Sequence, residues 1–147
     1  MEESLIEGFK AQMGLQVEHL DSYAPLTLAY IGDSVFDLLV KTYFVEQEDM
    51  QVQKYHKLAS NVVKAHAQAE MIHALEPELT GKEMDVYKRG RNAKSYTKAK
   101  NATTIDYRTA TGLEALVGYL YLKGEYGRLV ELMRLGFERT VLGADTN

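Results

Sequence analysis

Hydrophobic positions along the chain recur at helical spacing almost throughout, and no segment alternates in the manner of a strand. Ser4–Met13 has the pattern of a short amphipathic helix. Pro25 suits a first helical turn, where its missing N–H is not needed. From there Leu28, Ile31, Val35, Leu38 and Leu39 predict an inward stripe running to about Phe44. Ala29, Asp33 and Asp37 share a different face of the same helix, one turn apart. Gln51–Leu75 reads as one long helix, with Leu58, Val62, Ala65, Ala69 and Ile72 inward. It ends before Pro77, because the residue preceding a proline avoids helical angles. Thr80 is the expected N-cap of the next helix, with Glu83 completing a capping box. That helix is expected to reach about Arg89 and stop near Gly90. Asn92–Asp106 lacks apolar periodicity and reads as a loop. Tyr107–Lys123, stopped by Gly124, and Glu125–Leu142 are the last two helices. Leu129, Leu132, Met133, Leu135 and Phe137 are available for burial in the second of them. The expectation is an all-α single domain of five or six helices, more irregular than a four-helix bundle.

Composition narrows the picture. A chain of 147 residues with 46% hydrophobic positions builds one core. There is no cysteine, which excludes disulfides and thiolate metal sites. No signal-peptide pattern and no long apolar run is present, so a cytoplasmic protein without a membrane span is expected. The net charge of −4 argues against a generic polyanion binder. Its distribution argues otherwise. Lys88, Arg89, Arg91, Lys94, Lys98 and Lys100 fall in a stretch without a single acid, and Arg108 follows closely. A basic patch on an acidic chain points to a directed contact with a polyanion such as RNA. Asn92 and Tyr96 could add polar or stacking contacts there.

Two apolar helices each carry an acid beside a glycine. In the first, Gly32 precedes Asp33; in the second, Gly112 and Gly118 flank Glu114. Glycine inside a helix costs about 1 kcal/mol relative to alanine. A carboxylate among Leu, Ile, Val and Phe needs a partner. Gly32, Ala29, Gly112 and Gly118 would let backbones approach, so that Asp33 and Glu114 could share a hard cation such as Mg²⁺. A buried acid satisfied by a tyrosine hydroxyl or a helix end is the competing reading for either residue alone. Asp37 could reach such an ion through water, although a solvated acid is the simpler role. Glu70 and His73 match one half of a di-iron helix pair, but the other half is missing. His56 and His66 lack a paired metal-binding partner in the sequence.

The segment Leu28-Ala29-Tyr30-Ile31-Gly32-Asp33-Ser34-Val35-Phe36 resembles the signature helix of the ribonuclease III catalytic domain. Leu113-Glu114-Ala115-Leu116-Val117-Gly118-Tyr119-Leu120-Tyr121-Leu122 resembles its second acid-bearing helix. Lys88-Arg89-Gly90-Arg91-Asn92-Ala93-Lys94 is similar to the linker motif of the short subfamily called Mini-ribonuclease III. The resemblance implies an all-α, homodimeric, metal-dependent endoribonuclease that cleaves double-stranded RNA with Mg²⁺, for which Mn²⁺ could substitute, and leaves a 5′-phosphate. It implies Asp33 and Glu114 as catalytic metal ligands. It also implies a role in maturing large-subunit (23S) ribosomal RNA, with a ribosomal protein as a conceivable helper. The chain ends about where the catalytic domain would, so residues 1–147 are expected to be that domain without a double-stranded-RNA-binding module. Where longer members carry further acids, this chain has Leu26, Ala29 and Thr111. Those replacements leave one alternative open, a helical RNA-binding or assembly protein with weak or no catalysis.

Overall fold

The computed structural model describes residues 4–93 and 104–141. Among them are seven α-helices and no strand: α1 (Leu5–Met13), α2 (Pro25–Gln47), α3 (Val52–Val63), α4 (Ala65–Leu75), α5 (Gly81–Asn92), α6 (Thr104–Lys123) and α7 (Tyr126–Gly136). Single 3₁₀ turns lie at Leu20–Ser22 and Glu76–Glu78, and the chain winds on past α7 in a π-type turn, Phe137–Val141. The all-α expectation holds. None of the described helices is long and apolar enough to cross a membrane.

The organising element is α6, which packs against α2, α4, α5 and α7. Residues Thr109–Leu113 and Ala115–Leu120 are all buried, with Glu114 alone among them partly open to solvent. A helix apolar on every side belongs in the middle of a core. Around it lie Leu28, Phe36 and Val40 of α2, Met71, Ile72 and Leu75 of α4, Val86 and Tyr87 of α5, and Leu129 and Leu132 of α7. By contrast α1 buries nothing, and its Leu5, Phe9 and Met13 stand in solvent.

Several boundaries and faces depart from the periodicity reading. The inward stripe of α2 is Leu28, Ala29, Gly32, Phe36 and Val40, while Leu38 is 59% exposed. A cluster of apolar residues leaves several stripes open, and the neighbour's shape picks one. The single helix over Gln51–Leu75 is two, divided at Lys64, whose φ of −67° and ψ of 153° are extended. No proline or glycine causes this break. It lets α3 dock on α2 while α4 docks on α6, so tertiary packing overrides local propensity. Leu58 is left 37% exposed as a result. The break α5 was expected to make near Gly90 does not occur, because Gly90 is a packing glycine: a Cβ there would lie 2.6 Å from the Ala115 Cβ. Helix α6 begins at Thr104, earlier than expected, with Asp106 in its first turn.

Two termini behave as their residues dictate. The Thr80 hydroxyl accepts from the Glu83 N–H, and the Glu83 carboxylate accepts from the Thr80 N–H at 2.9 Å, closing the capping box. Gly124, at φ +80°, ends α6 in the left-handed conformation that favours glycine.

Candidate active site

Asp33 and Glu114 come together because α2 and α6 touch backbone to backbone. A Cβ on Gly32 would fall on the Glu114 carbonyl oxygen and lie 2.8 Å from the Gly118 nitrogen. A Cβ on Gly118 would fall on the Leu28 carbonyl oxygen. The helix axes can approach this closely only where both side chains are hydrogen. Asp33 follows Gly32 and Glu114 lies one turn before Gly118, so the crossing sets the two acids side by side. Gly112 has another role. It faces α5, where a Cβ would meet the Tyr87 ring at 2.6 Å.

The two carboxyls interact directly. Glu114 is mostly buried, and its pKa is pushed up to about 9. Burial is the largest cause, followed by a hydrogen bond to Asp33 and the charge of that residue. Asp33 itself stands at the exposed rim. The pair is thus a half-open acidic site in which burial and the neighbouring Asp33 carboxyl favour the protonated form of Glu114. A third group adjoins the pair. Gln68 of α4 is only 3% exposed, and its amide acts in the opposite direction, favouring the ionised Glu114. Periodicity could have found it: Gln68 lies three residues after Ala65 and four before Ile72, on the inward face.

Among the described residues no group of three or more acids or histidines is arranged to hold a metal. The donor set is therefore two carboxylates. They are hard oxygen ligands of the kind Mg²⁺ uses while retaining waters and taking substrate phosphate oxygens. The residues present fit such an ion. The positions where further acids were considered supply none: Ala29 is buried, and the Thr111 hydroxyl donates to the Tyr107 carbonyl at 2.9 Å. Asp37 pairs with Lys41 at 2.9 Å on the surface. Glu70 and His73 do not form a metal pair; Glu70 meets His66, and His73 lies 3.5 Å from Glu76.

Of the basic residues, Lys88 and Arg89 are exposed on α5 and Arg108 is exposed on α6. Arg91 lies over the Tyr87 ring, 5.5 Å from its centroid, and donates to the exposed Asn92 at 3.3 Å. Lys94, Tyr96, Lys98 and Lys100 lie outside the described residues.

The ribonuclease III domain family matches residues 26–125, a span that contains both acids and the α2–α6 crossing. The chain is 47% identical over 119 residues to the Mini-ribonuclease 3 of Clostridium tetani, covering 80% of this chain and 79% of that protein. It is 41% identical to the Mini-ribonuclease 3 of a Thermoanaerobacter species, covering 94% and 97%. For that of Staphylococcus aureus the identity is 43%, covering 80% and 90%. A crystal structure of a Fusobacterium nucleatum protein superposes with a TM-score of 0.74 at 23% identity, covering 83% of this chain and 98% of that one, and so shares the fold. With the family span containing the crossing that joins Asp33 to Glu114, the chain belongs to the ribonuclease III family, in its Mini-ribonuclease 3 branch, and is an endoribonuclease.

Proposed function

We propose that the protein hydrolyses double-stranded RNA with Mg²⁺ held between Asp33 and Glu114, with Mn²⁺ able to substitute. The observation that carries this reading is the meeting of those two carboxyls, from separate helices, at a crossing that only glycines permit. When bound, the cation supplies charge neutralisation at the scissile phosphate and a water of lowered pKa. The chain supplies the rest. Asp33 presents its carboxylate at the open rim, where the RNA backbone arrives. Glu114 offers a carboxylate largely shielded from water, where attraction to a cation is less screened than at the surface. Departure of the 3′ oxygen leaves a 5′-phosphate on the product.

Lys88, Arg89, Arg91 and Arg108, together with Lys94, Lys98 and Lys100, are assigned to the phosphates, and Asn92 to a polar contact. Such contacts give affinity and register without sequence information. A-form RNA is recognised chiefly by shape, phosphates and 2′-hydroxyls. Cutting both strands requires two sites, which a two-fold homodimer provides. Support for the dimer comes from α2, where Leu26, Tyr30 and Leu38 stand exposed. Exposed apolar groups of this extent suit a protein partner. The substrate we assign is a precursor of large-subunit (23S) ribosomal RNA, processed in the cytoplasm, with a ribosomal protein as a possible presenter.

The test is cleavage of a long RNA duplex, in Mg²⁺ and in chelator, by the protein and by Asp33→Asn. Cleavage by the parent in Mg²⁺ alone, abolished in a folded variant, is the expected result. Equal cleavage by both proteins would remove Asp33 from the reaction. Binding without cutting in both Mg²⁺ and Mn²⁺ would select the alternative of a non-catalytic RNA-binding or assembly protein.

A further inference from the structure

We propose that Gln68 is a positioning residue of the site: its side-chain amide donates to the ionised Glu114 and fixes which carboxylate oxygen faces the cation beside Asp33. The proposal rests on the reading of Asp33 and Glu114 as cation ligands.

Three observations lead to it. First, Gln68 is 3% exposed on a helix whose other buried residues are Ala69, Met71, Ile72 and Leu75. A methionine or leucine would fill that volume without bringing an amide out of water. Packing alone therefore gives no reason for glutamine. Second, its Nε2 is one of two buried side-chain polar atoms without a completed hydrogen bond among the described residues. Buried donors are nearly always satisfied, and one that is not calls for a specific cause. Third, the amide adjoins the Glu114 carboxyl, where α4 packs on α6.

These fit together as an incomplete network. The Nε2 group lies beside the Glu114 carboxyl and has no acceptor among the described residues. A Glu114 carboxylate holding a cation with one oxygen would have the other as a charged acceptor for Nε2–H. The hydrogen bond then restrains the carboxylate rotamer. Outer groups of this type commonly change metal affinity by about 10- to 100-fold.

The experiment measures Mn²⁺ binding by electron paramagnetic resonance at pH 8, alongside thermal unfolding in chelator. The proteins are the parent, Asp33→Asn, Gln68→Met and Gln68→His. Loss of binding in Asp33→Asn establishes the site; parent-like binding in that variant overturns the reading of Asp33 and Glu114, whatever Gln68 does. With the site established, Gln68→Met is expected to weaken Mn²⁺ binding about 10-fold or more. Its melting temperature in chelator should be unchanged or raised. The Mg²⁺ concentration for half-maximal cleavage should rise in parallel, with the rate largely recovered at saturating Mg²⁺. Parent-like Mn²⁺ affinity in Gln68→Met overturns the positioning role. Should Gln68→Met unfold, Gln68→His decides the matter, because a neutral imidazole retains an N–H donor. It should bind Mn²⁺ within a few-fold of the parent, and a folded histidine variant that has lost binding counts against the proposal.

Discussion

Gly32 and Gly118 face each other across the α2–α6 crossing, each occupying the space where the other's helix backbone leaves no room for a methyl group. The neighbours of both are main-chain atoms, which cannot rotate aside. Overpacking a core typically costs 1–3 kcal/mol, and more where the obstacle is rigid. Gly32→Ala should therefore destabilise the protein by about 3 kcal/mol, because α2 must lift from α6. The same displacement separates Asp33 from Glu114. Cation binding should fall further than the stability loss alone explains. Denaturant unfolding and Mn²⁺ titration of the folded fraction measure the two effects. A variant as stable as the parent would show that the helices do not meet here.

The protonation of Glu114 gives a signature of cation binding. With a pKa raised to about 9, it is neutral at pH 7 in the cation-free protein. Ligation needs the carboxylate, so binding must release a proton. Close to one proton per ion is expected at pH 7, falling toward zero above pH 9. Apparent affinity should climb about tenfold per pH unit below that value. Calorimetry in buffers of different ionisation enthalpy counts the protons directly. Stability follows the same linkage. The folded pKa lies above the ordinary carboxylate value of 4.5, so its contribution is whole below pH 4.5 and is lost as pH rises through 9. Glu114→Gln should remove that loss and leave the cation-free variant more stable than the parent at pH 8. No proton release at pH 7 would show that Glu114 is already ionised.

Much of this arrangement is legible in the sequence because two unfavourable choices coincide. Glycine and a carboxylate within an apolar helix each carry a cost, and on α2 and α6 they occur together. The structure gives them a common cause at Gly32 and Gly118. Gly90 is ambiguous in the sequence because a helix-ending glycine and a packing glycine both exploit a missing Cβ, and only the neighbour tells them apart. Leu38 and Leu58 lie in the apolar pattern yet stand exposed for a related reason. Periodicity defines a stripe, whereas burial depends on which part of it another helix covers. The break at Lys64 leaves no local mark at all, since it follows from docking α3 and α4 on different partners. Gln68 lay in the inward register, yet a single polar residue in such a stripe becomes informative only beside Glu114.

Arg128 ties α7 to the start of α5. Its Nε and one Nη donate to the two oxygens of Glu83 at 2.8 Å each, and the same Nη reaches the Glu78 carbonyl at 2.7 Å. The Glu83 side chain is 6% exposed, and Arg128 holds its pKa below the usual carboxylate value. Removing one member of a buried pair strands the other, at a cost of about 3 kcal/mol. Arg128→Met should lower stability by roughly that amount at pH 7. A depressed carboxylate pKa contributes stability above the ordinary value of 4.5, which is lost as pH falls through the folded value. The gap between parent and variant should therefore narrow below pH 4.5. A pH-independent gap in thermal unfolding would assign the loss to packing of the arginine stem.

His66 joins α4 to the first turn of α6. Its Nδ1 lies 3.1 Å from an Asp106 oxygen and its Nε2 lies 3.0 Å from a Glu70 oxygen. Both ring nitrogens can donate only when the imidazole is charged. The hydrogen bond to Asp106, and then the charges of Glu70 and Asp106, raise its pKa above 6.5. The sign of the linkage follows from that direction. The contribution to stability is fully present below pH 6.5 and is lost as pH rises through the folded value. Because the pair spans two helices, the loss should be local to the start of α6. Proton NMR of the His66 ring should give a midpoint above 6.5, and Asp106→Asn should lower it. Amide exchange over Arg108–Thr111, whose N–H groups bond the carbonyls of the first turn, should quicken across the same midpoint in the parent, after correction for intrinsic rates. In His66→Gln that step should disappear. An identical step in the variant would place the titrating group elsewhere on α6.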